Sequence, residues 1–432
     1  MNIPQTENIT LNKIVGGGQA MGTLADGRKA FVWGGLPGET VEIQITKKKS
    51  KLAEGVVTSV ITPSKARVEP SDSESYLSTS PWQIMDFVSE QHYKSALIEE
   101  AFELHDIVLP GAIEVCSDNV TYGYRNKMEF SWWWDNDSEQ LDLAFFRRGT
   151  HGKIPVNGSS LARIEINELA VRIRDLLRSK EYEARSYKTL MIRCDATGNC
   201  VWQLYIKDEI EHLITEEEAS SLGAQGGEVI YSDPKSPASR ITKRLAEFGD
   251  VILSDHILDV PFRYATESFF QVNIPVYEQA LQDMKGFVPT NKAAKVIDLY
   301  SGVGSIGLTI GGDSPTLIEI DENAVAEMKH NIGKLGSKAH AVLAASERAL
   351  DYLTHTATII VDPPRAGLHE DVVDKLLEIE PPRIIYLSCN PVTQARDIAL
   401  LATKYGIKHH RGYNFFPRTP HIEHLIILDL KA

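Results

Sequence analysis

The chain has 432 residues, enough for two or three domains, and its 43% hydrophobic and 24% charged residues are an ordinary composition for a soluble protein. No run of eighteen apolar residues occurs and the N-terminus lacks the regions of a signal peptide, so we expect a cytoplasmic protein that does not bind membranes. Four scattered cysteines make neither a disulfide framework nor a CxxC metal pair, and no structural metal is expected. The net charge of -14 argues against general attraction to nucleic acid, although local basic clusters matter more.

Residues 1–62 alternate apolar and polar positions in short runs separated by glycine turns, as in KIVGGGQAMGTLADGRKAFVWGG. This period of two, with the hairpin signal ADGR, predicts a small OB-like β-barrel. Such barrels often hold single-stranded nucleic acid on one face and its loops, and the run KKKSK, with Lys47 and Lys48, is expected in such a loop. The alternative is that these lysines form a solvated surface.

Residues 63–262 predict a mixed α+β domain that begins with a polar linker after Pro63. A helix is expected at about residues 90–105, with packing on the C-terminal domain as one option, and strands are expected in YRNKMEFSWWW, LDLAFFRR, TLMIRC and VWQLYI. Cys194 and Cys200 flank the turn DATGN, and we expect them to pack across neighbouring strands.

Residues 263–432 alternate strand and helix patterns, which predicts an α/β domain with a parallel sheet and helices on both faces. The predicted strands are 295–300, 315–320, 339–343, 357–362, 383–388, 406–411 and 424–430.

A glycine turn follows the first of these strands. The segment KVIDLYSGVGSIGLTI places Gly302, Gly304 and Gly307 in a GxGxxG pattern that leads into a helix. Glycines let the backbone approach a ligand at the helix N-terminus, and Glu319 after the next strand can accept both ribose hydroxyls. The turn predicts an adenosine-containing cofactor and does not by itself separate a nicotinamide dinucleotide from S-adenosylmethionine.

Two later strands end in residues that suggest a reaction. TIIVDPPRAGL and IIYLSCNP bring Asp362 and Cys389 to the carboxyl edge of the sheet, where α/β enzymes collect their chemistry. A thiolate that adds to C6 of uracil makes C5 nucleophilic toward a methyl donor, and a separate base must then remove the C5 proton. The alternatives are that Cys389 is a buried core thiol and Asp362 a turn carboxylate.

The base is expected in the last strand, which follows NFFPRTPHIEH. Glu423 lies among aromatic and apolar neighbours that would raise its pKa toward a useful range. His421 or His424 could instead be the base, with Glu423 at the surface.

At these residues the chain resembles the RNA 5-methyluridine methyltransferase family, which acts on uracil C5 in ribosomal or transfer RNA. FVWGGLPGETVEIQI is similar to its TRAM domain, an RNA-binding barrel, YGYRNKMEFS to its central signature, and ESFFQVN to the start of its catalytic domain. LYSGVGSIGL, VDPPRAGL, LSCNPVTQARD and FPRTPHIEHL complete the set in the family's order. The resemblance covers nearly the whole chain and implies a class I methyltransferase fold, with a Rossmann-like seven-stranded sheet, that uses S-adenosylmethionine.

The resemblance also implies roles for the matching positions. Cys389 would be the nucleophile and Glu423 the proton-abstracting base. The residues expected at S-adenosylmethionine are Gln271, Tyr300, Gly302, Gly304, Ser305, Glu319, Ser346 and Asp362. Those expected at structured RNA are Phe269 and Asp362, near the target base, and Lys47, Lys48, Arg125 and Lys127. The expected protein is a monomer that modifies a uridine of 23S rRNA in preference to tRNA.

The chain departs from the family at two places. Many members bind a [4Fe-4S] cluster through four cysteines, but the aligned positions are Ser71, Leu77, Ser80 and, for the fourth, a position near Gly158. Hydroxyl and aliphatic groups cannot replace these thiolates, so no iron–sulfur cluster is expected. The third strand of the sheet is followed by Ala345-Ser346 in place of an acidic residue, which leaves the adenine contacts open.

Two other hypotheses stay open at this point. A non-catalytic RNA chaperone or ribosome-assembly factor could keep the fold without the reaction. An amine methyltransferase could use the same sheet, but Arg365 stands where an aromatic residue follows Asp-Pro-Pro in that class, and this departure points away from amine chemistry.

Overall fold

The computed structural model describes residues 5–150, 152–180, 182–291 and 294–432. Its contacts divide the chain into two compact units. The first comprises the described residues up to Glu90, Val120–Leu253 and Pro417–Pro420, and the second Gln91–Asn119, Ser254–Phe416 and His421–Ala432. Residues 1–4 of the predicted first domain lie outside the described residues, and the predicted boundaries at 62/63 and 262/263 stay predictions. Across the described ranges, no helix combines the length and apolar character that crossing a membrane requires.

The N-terminal segment is built mainly of short strands, as its period of two predicts. Its elements are Thr6–Ile14 (β1), Ala20–Thr23 (β2), Lys29–Trp33 (β3), Thr40–Lys48 (β4), Leu52–Thr62 (β5), Tyr76–Thr79 (α1), Phe87–Glu103 (α2) and Val115–Cys116 (β6). Strands β1–β5 close into a barrel in the order β1-β2-β3-β5-β4, which confirms the predicted barrel. Alternate residues point inward, and Leu11, Val32, Val41 and Ile43 form its fully buried core.

A buried ion pair ties the barrel to the segment that follows it. The Glu39 side chain has no exposed surface and accepts hydrogen bonds from the backbone N–H groups of Leu36 and Ser64, at 2.8 and 3.0 Å. Arg67 donates to both carboxylate oxygens, at 2.6 and 2.7 Å. Burial alone would raise the pKa of Glu39, but these donors lower it below its usual value, so the carboxylate stays ionised.

The described residues in the middle of the chain form a mixed seven-stranded sheet and two α-helices. Its elements are Lys127–Asp135 (β7), Gln140–Phe146 (β8), Lys153–Val156 (β9), Ile164–Arg178 (α3), Tyr187–Cys194 (β10), Cys200–Ile206 (β11), Glu216–Ser221 (α4), Gly226–Tyr231 (β12) and Lys243–Gly249 (β13). The strand order is β13-β12-β11-β10-β7-β8-β9. Cys194 and Cys200 are opposed in the β10–β11 register and are free thiols, as the predicted packing pair requires.

Hydrogen bonds join the two segments in which the family's cluster ligands would lie. Gln83 is fully buried and donates to the hydroxyls of Ser80 and Ser160, at 2.7 and 3.1 Å. Asp72 accepts from the Ser160 backbone and hydroxyl at 3.1 and 2.8 Å, and its own N–H donates to Gln83. A network of amide, hydroxyl and carboxylate groups therefore connects residues 72–83 with Ser160.

The C-terminal segment alternates strands and helices. Its elements are Ile252–Ile257 (β14), Val260–Ala265 (β15), Ile274–Lys285 (α5), Val296–Leu299 (β16), Ser305–Ile310 (α6), Thr316–Glu319 (β17), Glu322–Leu335 (α7), His340–Leu343 (β18), Thr358–Val361 (β19), Glu370–Ile379 (α8), Arg383–Ser388 (β20), Pro391–Leu401 (α9), Tyr405–Tyr413 (β21) and Glu423–Leu430 (β22). The seven predicted strands are all present. Ile98, Ala101 and Phe102 of α2 are buried in the core of this sheet.

The sheet has the order β18-β17-β16-β19-β20-β22-β21-β6. Strands β16–β20 are parallel, as predicted, and β6 adds an eighth strand beside β21. The prediction of a parallel sheet is wrong for β22, which runs antiparallel to both β20 and β21. The loop between Tyr413 and Glu423 holds no helix and is too short for a parallel crossover, so the chain returns as a hairpin. The start of β22 therefore lies at the same edge as the end of β20, with Ser388 opposite His424.

Candidate active site

Cys389 lies between the end of a strand and the start of a helix. Strand β20 ends at Ser388, and α9 begins at Pro391 with Asn390 as its N-cap, whose side chain accepts a hydrogen bond from the N–H of Val392. Cys389 is partly exposed, whereas the other three cysteines are buried. The local sequence thus ends the strand and holds this thiol at the rim of the sheet.

Two carboxyl groups lie within electrostatic reach of the thiol. Burial, followed by the charges of Glu423 and Asp362, raises the pKa of Cys389 to about 12, although the charge of Arg365 opposes this shift. Burial raises the pKa of Asp362 to about 7. Glu423, the first residue of β22, is 5% exposed, and burial followed by the charge of Asp362 raises its pKa well above the usual value. The structure therefore brings together the three residues that the sequence predicted at one edge.

Arg365 is the cation of this group, and sequence reasoning gave it no role. Its guanidinium lies 3.2 Å from Nδ1 of His421 and lowers the pKa of both Cys389 and Glu423. Its backbone carbonyl accepts hydrogen bonds from the side chains of Asn390 and Thr393, at 2.9 and 3.1 Å. Its position directly after Asp-Pro-Pro, where the chain leaves the neighbouring strand β19, was the signal that could have found it.

The two histidines beside Glu423 are less suited to act as a base in this group. His421 is exposed and contacts Arg365. His424 has no exposed surface, its pKa is lowered well below the usual value by burial, and Nδ1 lies 2.8 Å from Oε1 of Gln394. Because side chains alternate along a strand, Glu423 and His424 also project to opposite faces.

The glycine turn forms at the end of β16 as predicted. Tyr300, Gly302 and Gly304 all have left-handed backbones, with φ of 63°, 56° and 89°. The N–H of Gly302 donates to Glu319 Oε2 at 2.8 Å, and Oε1 accepts from the N–H groups of Ile320 and Asp321. A Cβ at Gly302 would have nothing within 4 Å, so open space lies beside this backbone.

Asp298 lies beneath the turn. It is fully buried, and the N–H of Gly307 donates to Oδ2 at 2.9 Å, whereas Oδ1 has no hydrogen-bond partner among the described residues. Burial raises the pKa of Asp298 well above its usual value.

The other predicted cofactor residues have mixed surroundings. Ser346 is buried, and its side chain hydrogen-bonds the Tyr300 hydroxyl. The hydroxyl of Ser305 lies 3.0 Å from that of Tyr277. Gln271 is 6% exposed and precedes α5, which begins only at Ile274, and Phe269 is 68% exposed.

Lys47 and Lys48 are exposed, but the prediction that they lie in a loop is wrong. They form the end of β4, where they pair with Glu54 and Ala53 of β5, because the hairpin reverses only beyond them. The Lys47 ammonium lies 4.0 Å from the Glu54 carboxylate.

Arg125 and Lys127 line a cavity of about 310 Å³ in the first unit. Lys127 lies directly opposite Arg193 in the β7–β10 register, and burial, followed by the charge of Arg193, lowers its pKa. Glu129 also lines the cavity, 3.4 Å from the Lys127 ammonium.

Two family models match the chain. One, described as tRNA (Uracil-5-)-methyltransferase, covers residues 347–431, and the other, the TRAM domain, covers residues 5–58. An uncharacterized RNA methyltransferase of Enterococcus faecalis is 30% identical over 446 residues, which covers 92% of each chain. The chain belongs to the RNA 5-methyluridine methyltransferase family. The prediction of an RNA uracil-C5 methyltransferase is confirmed by this membership.

One further relative and one solved structure each match nearly the whole chain. An uncharacterized RNA methyltransferase of Nitratidesulfovibrio vulgaris is 26% identical over 461 residues, covering 99% of this chain and 96% of the relative. The crystal structure of the Pyrococcus abyssi tRNA (uracil-54, C5)-methyltransferase with S-adenosyl-L-homocysteine superposes with a TM-score of 0.80 at 20% identity. It covers 98% of this chain and is itself covered completely, which confirms the predicted fold.

Proposed function

We propose that this methyltransferase transfers a methyl group from S-adenosylmethionine to C5 of a uridine in structured RNA. Cys389 is the nucleophile and Glu423 the base. The observation that supports this assignment best is the β20–β22 register, because Ser388 opposite His424 brings the residues next to each of them, Cys389 and Glu423, to one edge of the sheet.

The chemistry requires two protein groups on one pyrimidine. Cys389 gives up its proton as Sγ bonds to C6, and the electron pair of the C5–C6 double bond makes C5 a nucleophile. When bound, S-adenosylmethionine supplies the electrophilic methyl group. Glu423 then takes the C5 proton, the C5–H electrons re-form the double bond, and the S–C6 pair returns to sulfur.

The pKa values of the thiol and of the two carboxyl groups determine which of them carries a proton before the reaction. Cys389, with a pKa of about 12, holds its proton at neutral pH, and the raised pKa of Glu423 favours the protonated form of this carboxyl group in the free protein. Asp362, with a pKa of about 7, is partly ionised there, and this pKa suits it to accept the thiol proton. The Arg365 cation favours the ionised forms of Cys389 and Glu423 that the reaction needs.

The glycine turn fits S-adenosylmethionine. The open space beside Gly302 admits a ligand, and the Glu319 carboxylate, held by three backbone N–H groups, is fixed for ribose hydroxyls. Ile320 follows it, 67% exposed, and offers an apolar surface for an adenine ring. We assign the remaining contacts to the set predicted from the sequence, Gln271, Tyr300, Gly304, Ser305, Ser346 and Asp362.

We place the RNA outside the S-adenosylmethionine site at the glycine turn. The exposed Phe269 ring is suited to stack against the target base. Lys47, Lys48, Arg125 and Lys127 are proposed phosphate contacts, and the opposition of Lys127 to Arg193 favours an anion there because like charges on paired strands repel. On the strength of the TRAM domain we propose 23S rRNA as the substrate, with tRNA as the alternative.

The test uses labelled S-adenosylmethionine with unmodified 23S rRNA and tRNA in parallel. Label on uracil C5 is expected. RNA that contains 5-fluorouridine should trap a covalent adduct, because a base cannot remove fluorine from C5 as it removes a proton. Cys389→Ala should abolish both signals, whereas Cys116→Ala, at a buried cysteine of the same unit, should keep them. Full activity in Cys389→Ala with label on an exocyclic nitrogen would instead establish the amine methyltransferase.

A further inference from the structure

Gln394 is a buried amide that the proposed chemistry does not use. It lies in α9, one turn after Cys389, and has no exposed surface. Nε2 donates to the backbone carbonyls of Tyr386 and His424, at 3.1 and 2.9 Å, and Oε1 lies 2.8 Å from His424 Nδ1. All of its hydrogen-bonding atoms are therefore engaged at one place.

The partners fix the orientation of this amide. Carbonyl oxygens can only accept, so both Nε2 hydrogens must point at Tyr386 and His424. Oε1 must then accept from Nδ1–H of His424, whose pKa is lowered by burial so that the ring is neutral. A flipped amide would leave two buried carbonyls facing an oxygen, which is strongly unfavourable.

These contacts join the two strands that carry the reacting groups. Tyr386 lies in β20, three residues before Cys389, and His424 lies in β22, directly after Glu423. The ladder between β20 and β22 ends at the pair formed by Ser388 and His424, so Cys389 lies beyond the last pair. Gln394 adds a link between the strands from the helix that starts immediately after Cys389.

We propose that Gln394 is a positioning residue, which fixes Glu423 relative to Cys389 by holding the backbones of β20 and β22 from α9. The inference rests on the proposed function of these two residues. Gln394 itself touches neither RNA nor cofactor and acts through the strands. Removal of the C5 proton requires Cys389 and Glu423 in the correct relative position, whereas formation of the covalent adduct requires only the thiol. Loss of Gln394 should therefore slow proton removal more than adduct formation.

The test compares two variants with a matched control. Gln394→Glu has the same shape and keeps the acceptor for His424 but has at most one O–H donor for the two carbonyls, and Gln394→Leu loses all three hydrogen bonds. Gln83→Leu removes a comparably buried amide from the first unit. Turnover, the fraction of enzyme trapped covalently on ordinary uridine RNA, S-adenosylmethionine affinity and thermal stability are measured for each.

Both Gln394 variants should turn over about 100-fold more slowly, since a displacement of about 1 Å costs that much. The adduct fraction should rise, because release slows more than formation, and cofactor affinity should stay within about twofold. Gln83→Leu should lose thermal stability without a change in adduct fraction.

Equal slowing of adduct formation and release, or a wild-type adduct fraction in Gln394→Glu, would overturn this inference alone. If Gln394→Leu does not fold, Gln394→Glu decides, because it keeps the packing. Absence of any adduct between the wild-type protein and 5-fluorouridine RNA would overturn the proposed function together with this inference.

Discussion

Cys389 should react slowly with iodoacetamide in the free protein, although it is the most exposed of the four cysteines. A thiol with a pKa of about 12 is ionised in about one molecule in 1,000 at pH 9, whereas most free cysteine is ionised there. The Cys389 thiolate is more basic than that of free cysteine and therefore about 25-fold more nucleophilic, which offsets part of the effect of its smaller ionised fraction. Alkylation should thus be roughly 30-fold slower than that of free cysteine.

The assay follows carbamidomethylation of the Cys389 peptide by mass spectrometry between pH 7 and 10. The rate should increase about tenfold per pH unit without a plateau, since only the thiolate reacts. Arg365→Gln should slow it further, because the guanidinium lowers the pKa of the thiol, and Arg240→Gln in the first unit should not. A plateau with a midpoint below pH 9 would refute the view that burial and carboxylates keep this thiol protonated before RNA binds.

Three further outcomes are expected. The methylation rate at saturating substrates should reach half its maximum at a higher pH than an ordinary glutamate would give, because Glu423 must be ionised and burial raises its pKa; a midpoint at the usual glutamate value would contradict this role. The pKa of Asp298 is higher in the folded than in the unfolded protein, so the folded state binds the Asp298 proton more tightly. The stability that this contributes is therefore lost as the pH rises from the pKa of the unfolded state toward that of the folded state. Asp298→Asn keeps an acceptor for Gly307, and its melting temperature should fall less than that of the wild type between pH 4 and 8; equal falls would be evidence against the assignment. Glu39→Gln should destabilise the barrel by about 3 kcal/mol because it breaks a buried ion pair, whereas Glu54→Gln at an exposed pair should change thermal unfolding little.

The central parallel strands β16, β19 and β20 could be located from the sequence because they are buried on both faces. Thr358–Val361 and the first five residues of β20 are continuous apolar runs apart from their first residues, and each ends in a polar or proline-containing turn. The predicted bounds of β16–β20 accordingly differ from the observed ones by at most one residue at either end. The glycine turn was equally visible, because Gly302 and Gly304 occupy left-handed positions that other residues rarely adopt.

Features that depend on long-range pairing could not be predicted. The antiparallel direction of β22 was missed because the strand–helix alternation of the preceding segments was extended to the end of the sheet, and the two-residue strand Val115–Cys116 has no pattern to detect. Gln394 reads as an ordinary polar residue of a helix, since its partners are backbone carbonyls brought near by folding. Lys47 and Lys48 were expected in a loop because barrels of this kind bind nucleic acid with their loops, but pairing with β5 extends β4 through both lysines.

Because β22 runs antiparallel to β20, single-residue insertions should affect the reaction in a way that substitution scans do not test. An extra residue within β22 itself would shift its pairing with β20 by one position, move the carboxyl group by about 3.4 Å and turn it to the opposite face of the sheet. An extra residue in the loop between Tyr413 and Glu423 would leave that pairing intact. Insertion scanning across residues 414–430 should therefore divide at Glu423, with methylation retained for insertions in the loop before it and lost for insertions within β22.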